Sequence, residues 1–173
     1  MLGAMPGPTV LVGHSYGGAV ITGAGSGAGN VKALVYVTGF GLDEGESLET
    51  LSKQGPPSPG STAIAPDDKG FLWIDRKRFH DAFVADATEI EAAVMAAVQK
   101  PLGLAAFTGT SGPPAWKTLP SWYLQCTDDK MIPPPAQAFM AERMGATMRS
   151  VASSHAPFMA HPAEVAETIL LAC

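Results

Sequence analysis

Thr9-Val10-Leu11-Val12-Gly13-His14-Ser15-Tyr16-Gly17-Gly18-Ala19-Val20-Ile21-Thr22 is the stretch on which the reading of this chain turns. Branched and apolar residues suited to a strand run into Gly13-His14-Ser15-Tyr16-Gly17, a match to G-x-S-x-G, and a small-residue pattern that can begin a helix follows. Strand, glycine-flanked serine and helix are what a nucleophile elbow requires. The turn is too sharp for side chains to crowd it, so glycine is expected on both sides of Ser15. It lifts the hydroxyl above the sheet and puts the Tyr16 N–H at a helix N-terminus, where developing negative charge is stabilised. The competing reading is a glycine-rich turn that merely contains a serine. The strand before it and the helix behind it weigh against that.

Outward from this stretch, apolar runs alternate with helical patterns, which predicts an α/β fold with a mostly parallel sheet and flanking helices. Residues 9–12 form the first strand and 16–24 the first helix, with Gly23, Gly25, Gly27 and Gly29 marking its end. Residues 31–37 are a second strand that stops at Thr38-Gly39. The pattern resumes at 121–126 with a third strand. A helix at 133–144 follows, with prolines at its start and Gly145 as its cap. Residues 146–151 are the last strand and 162–171 the last helix, with Val165, Ala166, Ile169 and Leu170 facing inward. Between the second and third strands the character changes. Gly55-Pro56-Pro57-Ser58-Pro59-Gly60 is a loop by composition, and residues 108–114 are another. Residues 75–87 put Phe79 and Phe83 on one helical face, and 89–98 carry Ile90, Val94 and Val98 at the same spacing. One domain, 1–173, with 40–118 as a helical lid insertion, is the expected organisation.

Composition narrows the function classes. With 46% hydrophobic and 16% charged residues over 173, the chain can bury a sizeable core. The net charge of −5 offers no basic surface for nucleic acid or an acidic membrane. Cys126 and Cys173 provide neither a disulfide framework nor metal-ligand spacing. Cys126 reads as a small buried hydrophobe. The first residues carry no basic segment followed by a long apolar stretch, and no run of about 18 apolar residues occurs, so neither a leader nor a membrane span is expected. A cytoplasmic location is the plain expectation.

A serine hydroxyl is a weak nucleophile until an imidazole takes its proton, and the imidazole needs an acid to orient it. The order serine, acid, histidine is present along the chain. Acid candidates are Asp128 and Asp129, directly after the third strand, at the sheet edge where ligand sites form. Asp129 stands four residues before Pro133 and is favoured. Asp128 stays open as the alternative, since either can serve an Asx turn there. The base candidate is His155, in the loop between the last strand and the last helix. His14 belongs to the elbow and points the wrong way for its neighbour's hydroxyl. His80 falls on an expected lid helix, and His161 precedes Pro162 as a cap.

These residues resemble the α/β-hydrolase superfamily, in particular its compact esterase-like branch. Val10-Leu11-Val12-Gly13-His14-Ser15-Tyr16-Gly17-Gly18, Ala33-Leu34-Val35-Tyr36-Val37, Asp129-Lys130-Met131-Ile132-Pro133 and Ser154-His155-Ala156-Pro157-Phe158 carry the resemblance, with Asp43-Glu44-Gly45-Glu46-Ser47 in support. It implies Ser15 as nucleophile, Asp129 as acid, His155 as base and Tyr16 as one oxyanion-hole donor. It also implies a small-molecule ester as substrate and neither metal nor organic cofactor. Phe71, Trp73, Phe79 and Phe83 become candidates for an apolar pocket. The family builds strands and an oxyanion loop before the elbow strand, so the chain reads as a partial fold lacking them. An elbow strand left at an apolar edge is expected to recruit another copy, giving a homo-oligomer. Perhydrolysis on the same residues fits too. A hydroxynitrile-lyase chemistry fits less well, because Ala156 stands where that branch has lysine. The reading from another class is a weakly active or inactive hydrolase relic that binds a small ligand or a protein.

Overall fold

The computed structural model describes residues 2–173. Of the eight residues before the elbow strand, Met1 lies outside that range and Leu2–Ala4 form one 3-10 turn. Next come β1 (Thr9–His14), α1 (Tyr16–Ala24) and β2 (Val31–Val37). The following segment holds α2 (Leu48–Ser52), β3 (Ile64–Pro66), β4 (Phe71–Ile74), α3 (Phe79–Phe83), α4 (Glu89–Val98), β5 (Leu102–Gly103) and α5 (Leu104–Thr108). The chain then returns through β6 (Ser121–Cys126), α6 (Pro134–Arg143), β7 (Thr147–Val151), α7 (Pro157–Ala160) and α8 (Pro162–Leu170).

β1, β2, β6 and β7 form a parallel sheet in that spatial order. Val12 lies opposite Val35, which lies opposite Trp122. All four strands therefore end on one side, which gathers the loops after them. The β2 sequence is nearly continuous in apolar residues because both of its faces are covered. Leu34 and Tyr36 pack with Ile21 of α1 and Met140 of α6, whereas Val35 and Val37 face Val165 of α8. Tyr36 and Tyr123 stack with ring centroids 6.1 Å apart. Their hydroxyls are satisfied beneath the elbow. Tyr36 Oη pairs with Thr22 Oγ1 at 2.8 Å, and Tyr123 Oη donates to the Gly39 carbonyl at 2.9 Å. The core thus anchors both strand ends that shape the site.

β1 has a sheet partner only on its β2 side among the described residues, and Val12 on it is 43% exposed. No described helix is long and apolar enough to cross a membrane.

The segment between β2 and β6 carries helices as expected, together with a three-stranded antiparallel sheet, β3-β4-β5, that the helical reading did not anticipate. Phe79 and Phe83 do share a helix, but α3 is only five residues long, and Val84 already leaves helical geometry with φ −144° and ψ 50°. α4 turns the face opposite to the expected one inward. Ala92 and Ala96 are buried with Phe79, while Ile90 is 78% exposed. Alanine lets α3 and α4 approach closely where isoleucine and valine would hold them apart. In α8 the inward face is Val165, Thr168 and Ile169, and Ala166 and Leu170 point outward. A residue five along from Val165 is turned about 140° around the helix, which carries Leu170 off the core face. The Asp43–Ser47 run closes a tight turn at the head of this segment. Glu46 accepts from Asp43 N–H at 2.8 Å and receives both terminal nitrogens of Arg143 from α6.

Candidate active site

Ser15 follows β1 directly and adopts φ 53° and ψ −123°, a left-handed backbone that non-glycine residues rarely hold. The conformation is held in place by its surroundings. The Ser15 carbonyl accepts from the N–H groups of both Gly18 and Phe40 at 3.0 Å. A Cβ on Gly13 would strike the Gly17 carbonyl, and one on Gly18 would lie 2.6 Å from the Phe40 nitrogen. At Gly17 a Cβ would meet nothing within 4 Å. The expected need for small residues on both sides of the serine is therefore met at Gly13 and Gly18, not at Gly17. The close contact on the helix side comes from the loop after β2, which the pentapeptide alone does not reveal.

Asp129 and His155 arrive from the ends of β6 and β7. Nε2 of His155 lies 2.8 Å from Ser15 Oγ, and its Nδ1 lies 2.7 Å from Asp129 Oδ2. A carboxylate only accepts, so Nδ1 carries the hydrogen and Nε2 is free to accept from the serine. Asp129 is 4% exposed and Asp128 is exposed, so of the two neighbours the fold brings Asp129 to the imidazole. Around that carboxylate, Gln137 Nε2 donates to Oδ2 at 2.9 Å, joined by the Thr38 hydroxyl. The N–H groups of Met131 and Ile132 donate to Oδ1 at 2.7 and 3.0 Å. Burial by itself would raise the Asp129 pKa. The His155 charge and these donors outweigh it and hold the carboxyl below its ordinary value. Sequence reasoning missed Thr38 and Gln137, because nothing in a lone threonine after a strand or a glutamine within a helix marks a second contact to an acid.

His14 is also part of the site, though not toward Ser15. Its Nε2 donates to the His155 carbonyl at 2.7 Å, and its ring packs edge-on to Phe83 and Phe158. Burial, reinforced by the neighbouring His155, pushes its pKa from 6.5 down to about 3. The folded protein therefore holds His14 neutral while the unfolded chain takes up a proton below 6.5. Stability is fully present above pH 6.5 on this account and falls as the pH drops toward 3, by up to about 1.4 kcal/mol per unit. The denaturation midpoint is expected to fall more between pH 7 and pH 5 for the natural protein than for His14→Gln, which keeps a donor for the His155 carbonyl. Parallel curves would disprove the assignment.

A cavity of about 570 Å³ opens at Ser15 and His155. Its walls are largely apolar, with Phe40, Leu72, Met95 and Phe107 among them. Of the four aromatic candidates, Trp73, Phe79 and Phe83 line it and Phe71 does not. Phe71 sits at the first position of β4 with its side chain 41% exposed. Leu72, Trp73 and Ile74, which follow it on the same strand, all line the cavity. Cys126 is buried away from the cavity, and burial pushes its thiol pKa well up. Among the described residues, no group of three or more His, Cys, Asp or Glu is placed to hold a metal ion.

A serine at a strained strand–helix turn, an imidazole and a buried carboxylate, each at a parallel strand's C-terminal end, are now in place. The model of the alpha/beta hydrolase family matches residues 1–168. The chain belongs to that family. Among curated family relatives, it is 29% identical over 167 residues to alpha/beta hydrolase nvfD of Aspergillus novofumigatus, a match covering 88% of this chain. It is 28% identical over 189 residues to the pyrethroid hydrolase of Sphingobium wenxiniae, covering 98% of this chain. The chain spans 65% of the length of each of these relatives. Among solved structures, a pyrethroid hydrolase from Sphingobium faniae superposes with a TM-score of 0.78 at 26% identity, covering 98% of this chain and 72% of that one.

Proposed function

We propose that the chain is a carboxylic ester hydrolase in which Ser15 is the nucleophile, His155 the general base and then acid, and Asp129 the carboxylate that orients it. The observation that carries this reading is the unbroken line from Ser15 Oγ through the His155 ring to Asp129, 2.8 and 2.7 Å at its two links. As Ser15 Oγ attacks the ester carbonyl, its proton passes to Nε2, and the imidazolium is stabilised by the Asp129 carboxylate. The carbonyl oxygen becomes an oxyanion, for which the Tyr16 N–H at the start of α1 is the assigned donor. His155 then returns the proton to the departing alcohol, leaving an acyl-enzyme. Water activated by the same nitrogen releases the acid and restores Ser15.

The cavity supports small-molecule esters with apolar acyl and alcohol parts, since its walls give little to pair with charge. The segment 40–118 acts as a lid in this reading, supplying Trp73, Phe79 and Phe83 to the wall above Ser15. The naming of two relatives as pyrethroid hydrolases agrees with ester hydrolysis. Labelling by a fluorophosphonate probe, with the modified peptide located by mass spectrometry, tests the assignment. Stoichiometric modification at Ser15 is expected together with turnover of apolar esters. A folded chain that stays inert to the probe would overturn it and favour a ligand- or partner-binding role.

The edge of β1 that has no strand partner among the described residues, with Val12 exposed on it, supports association of copies of this chain along that strand. Sedimentation of the purified chain is expected to give a mass above that of one copy, and a uniform monomer would refute this.

A further inference from the structure

One more charged group converges on the loop that carries His155. Asp86 lies in the turn between α3 and α4, on the segment that also supplies Phe79, Phe83, Met95 and Val98 to the cavity wall. Its carboxylate reaches the loop after β7. Oδ2 accepts from the Ser153 hydroxyl at 2.5 Å and from the Ser154 N–H at 2.9 Å, and Oδ1 accepts from the Ser154 hydroxyl. Ser153 and Ser154 are almost wholly buried, so each hydroxyl depends on this acceptor. Partial burial of the Asp86 carboxyl would raise its pKa, yet these donors hold it below its ordinary value, which keeps the acceptor ionised near neutral pH.

The loop ahead of His155 has other ties, and Ser153 N–H donates to the Val151 carbonyl at 3.0 Å. Asp128 N–H donates to the Ser153 carbonyl at 3.1 Å, and His14 Nε2 donates to the His155 carbonyl. These ties all run to backbone carbonyls. Among the described residues, the Asp86 carboxylate is the acceptor for the Ser153 and Ser154 hydroxyls and the Ser154 amide, and Phe83, three residues before Asp86, lies edge-on to the His155 ring at 4.8 Å.

We propose that Asp86 is a positioning residue for His155, acting through Ser153 and Ser154, so that seating the cavity wall and aligning the base are one event. The inference rests on the hydrolytic reading of Ser15, His155 and Asp129. Loss of the carboxylate leaves two buried hydroxyls and an amide without an acceptor, and the loop relaxes. A shift of about 1 Å in a reacting group costs on the order of 100-fold in rate.

Asp86→Ala and the near-isosteric Asp86→Asn are to be compared with the natural protein in ester turnover, in the rate of fluorophosphonate labelling at Ser15, and in unfolding midpoint. For Asp86→Ala, kcat and the labelling rate are expected to fall about 10- to 100-fold with KM changed less than about threefold. The Asn variant, which keeps one acceptor oxygen, should fall between the two. In a Ser153→Ala, Ser154→Ala background most of the effect of Asp86→Ala should disappear, because the route to His155 is already cut. Natural labelling rates in a folded Asp86→Asn or Asp86→Ala protein would overturn the proposal, as would a full loss persisting in the serine-free background. If Asp86→Ala does not fold, Asp86→Asn decides. Absence of labelling in the natural protein would instead bring down the hydrolytic reading, and this inference with it.

Discussion

Ser15→Ala is expected to lower ester turnover by about 10⁴- to 10⁶-fold and to abolish fluorophosphonate labelling, while leaving the fold in place. The magnitude follows from covalent chemistry. Without Oγ no acyl-enzyme forms, and neither His155 nor Asp129 has a nucleophile to serve. What remains is water attack in a cavity that holds the ester near the Tyr16 N–H. Alanine keeps a Cβ at the one non-glycine position where φ is 53° in the elbow, so the backbone demand is unchanged. The unfolding midpoint is the control. A variant that unfolds like the natural protein yet retains turnover within about tenfold would remove Ser15 from the mechanism.

Asp129→Asn should cost about 10⁴-fold in kcat, and Asp128→Asn less than about threefold. At the Oδ2 position three donors converge, from His155 Nδ1, Gln137 Nε2 and the Thr38 hydroxyl. At Oδ1 the Met131 and Ile132 amides donate, so an asparagine NH₂ in either orientation faces a donor. Turned toward His155, it favours the tautomer with hydrogen on Nε2, which cannot accept the Ser15 proton. Asp128 has an exposed side chain and contributes its backbone N–H to the Ser153 carbonyl, a bond that asparagine keeps. Equal losses in the two variants would reject the assignment. The low pKa of Asp129 adds a sign that can be checked. Its folded value lies below the ordinary carboxylate value of about 3.9, so the stability it contributes is present above that pH and lost as the pH falls through the folded value.

How much of this was legible beforehand differs from residue to residue. The elbow could be read because strand, turn and helix are contiguous, and backbone sterics within a dozen residues dictate them. The order of Ser15, Asp129 and His155 could be read because each stands shortly after a strand candidate, the first two after apolar runs. The face of α4 could not. The spacing of Ile90, Val94 and Val98 describes an apolar stripe as well as Ala92 and Ala96 describe a buried one, and the neighbour decides between them. α3 packs close with Phe79, so the small face goes in. Phe71 failed as a pocket residue for a similar reason. It opens β4 opposite Gly103 of β5, off the wall that Leu72, Trp73 and Ile74 line, and only the pairing of β4 shows where the cavity stops along the strand.

The sequence by itself determined the local chemistry: the left-handed serine turn that its glycines permit, the parallel α/β order of elements, and which residue types stand at strand ends. Those follow from short-range sterics and hydrophobic periodicity, which act between neighbours. Only the tertiary structure decided that Asp129 and not Asp128 meets His155, that His14 reaches the His155 carbonyl, that Gly18 and not Gly17 is the crowded glycine, and that Asp86 reaches Ser153 and Ser154. Each depends on groups far apart in the chain, 140 residues between Ser15 and His155 and 67 between Asp86 and Ser153. Their distances are set by the summed packing of every element between them, and no local pattern records that sum.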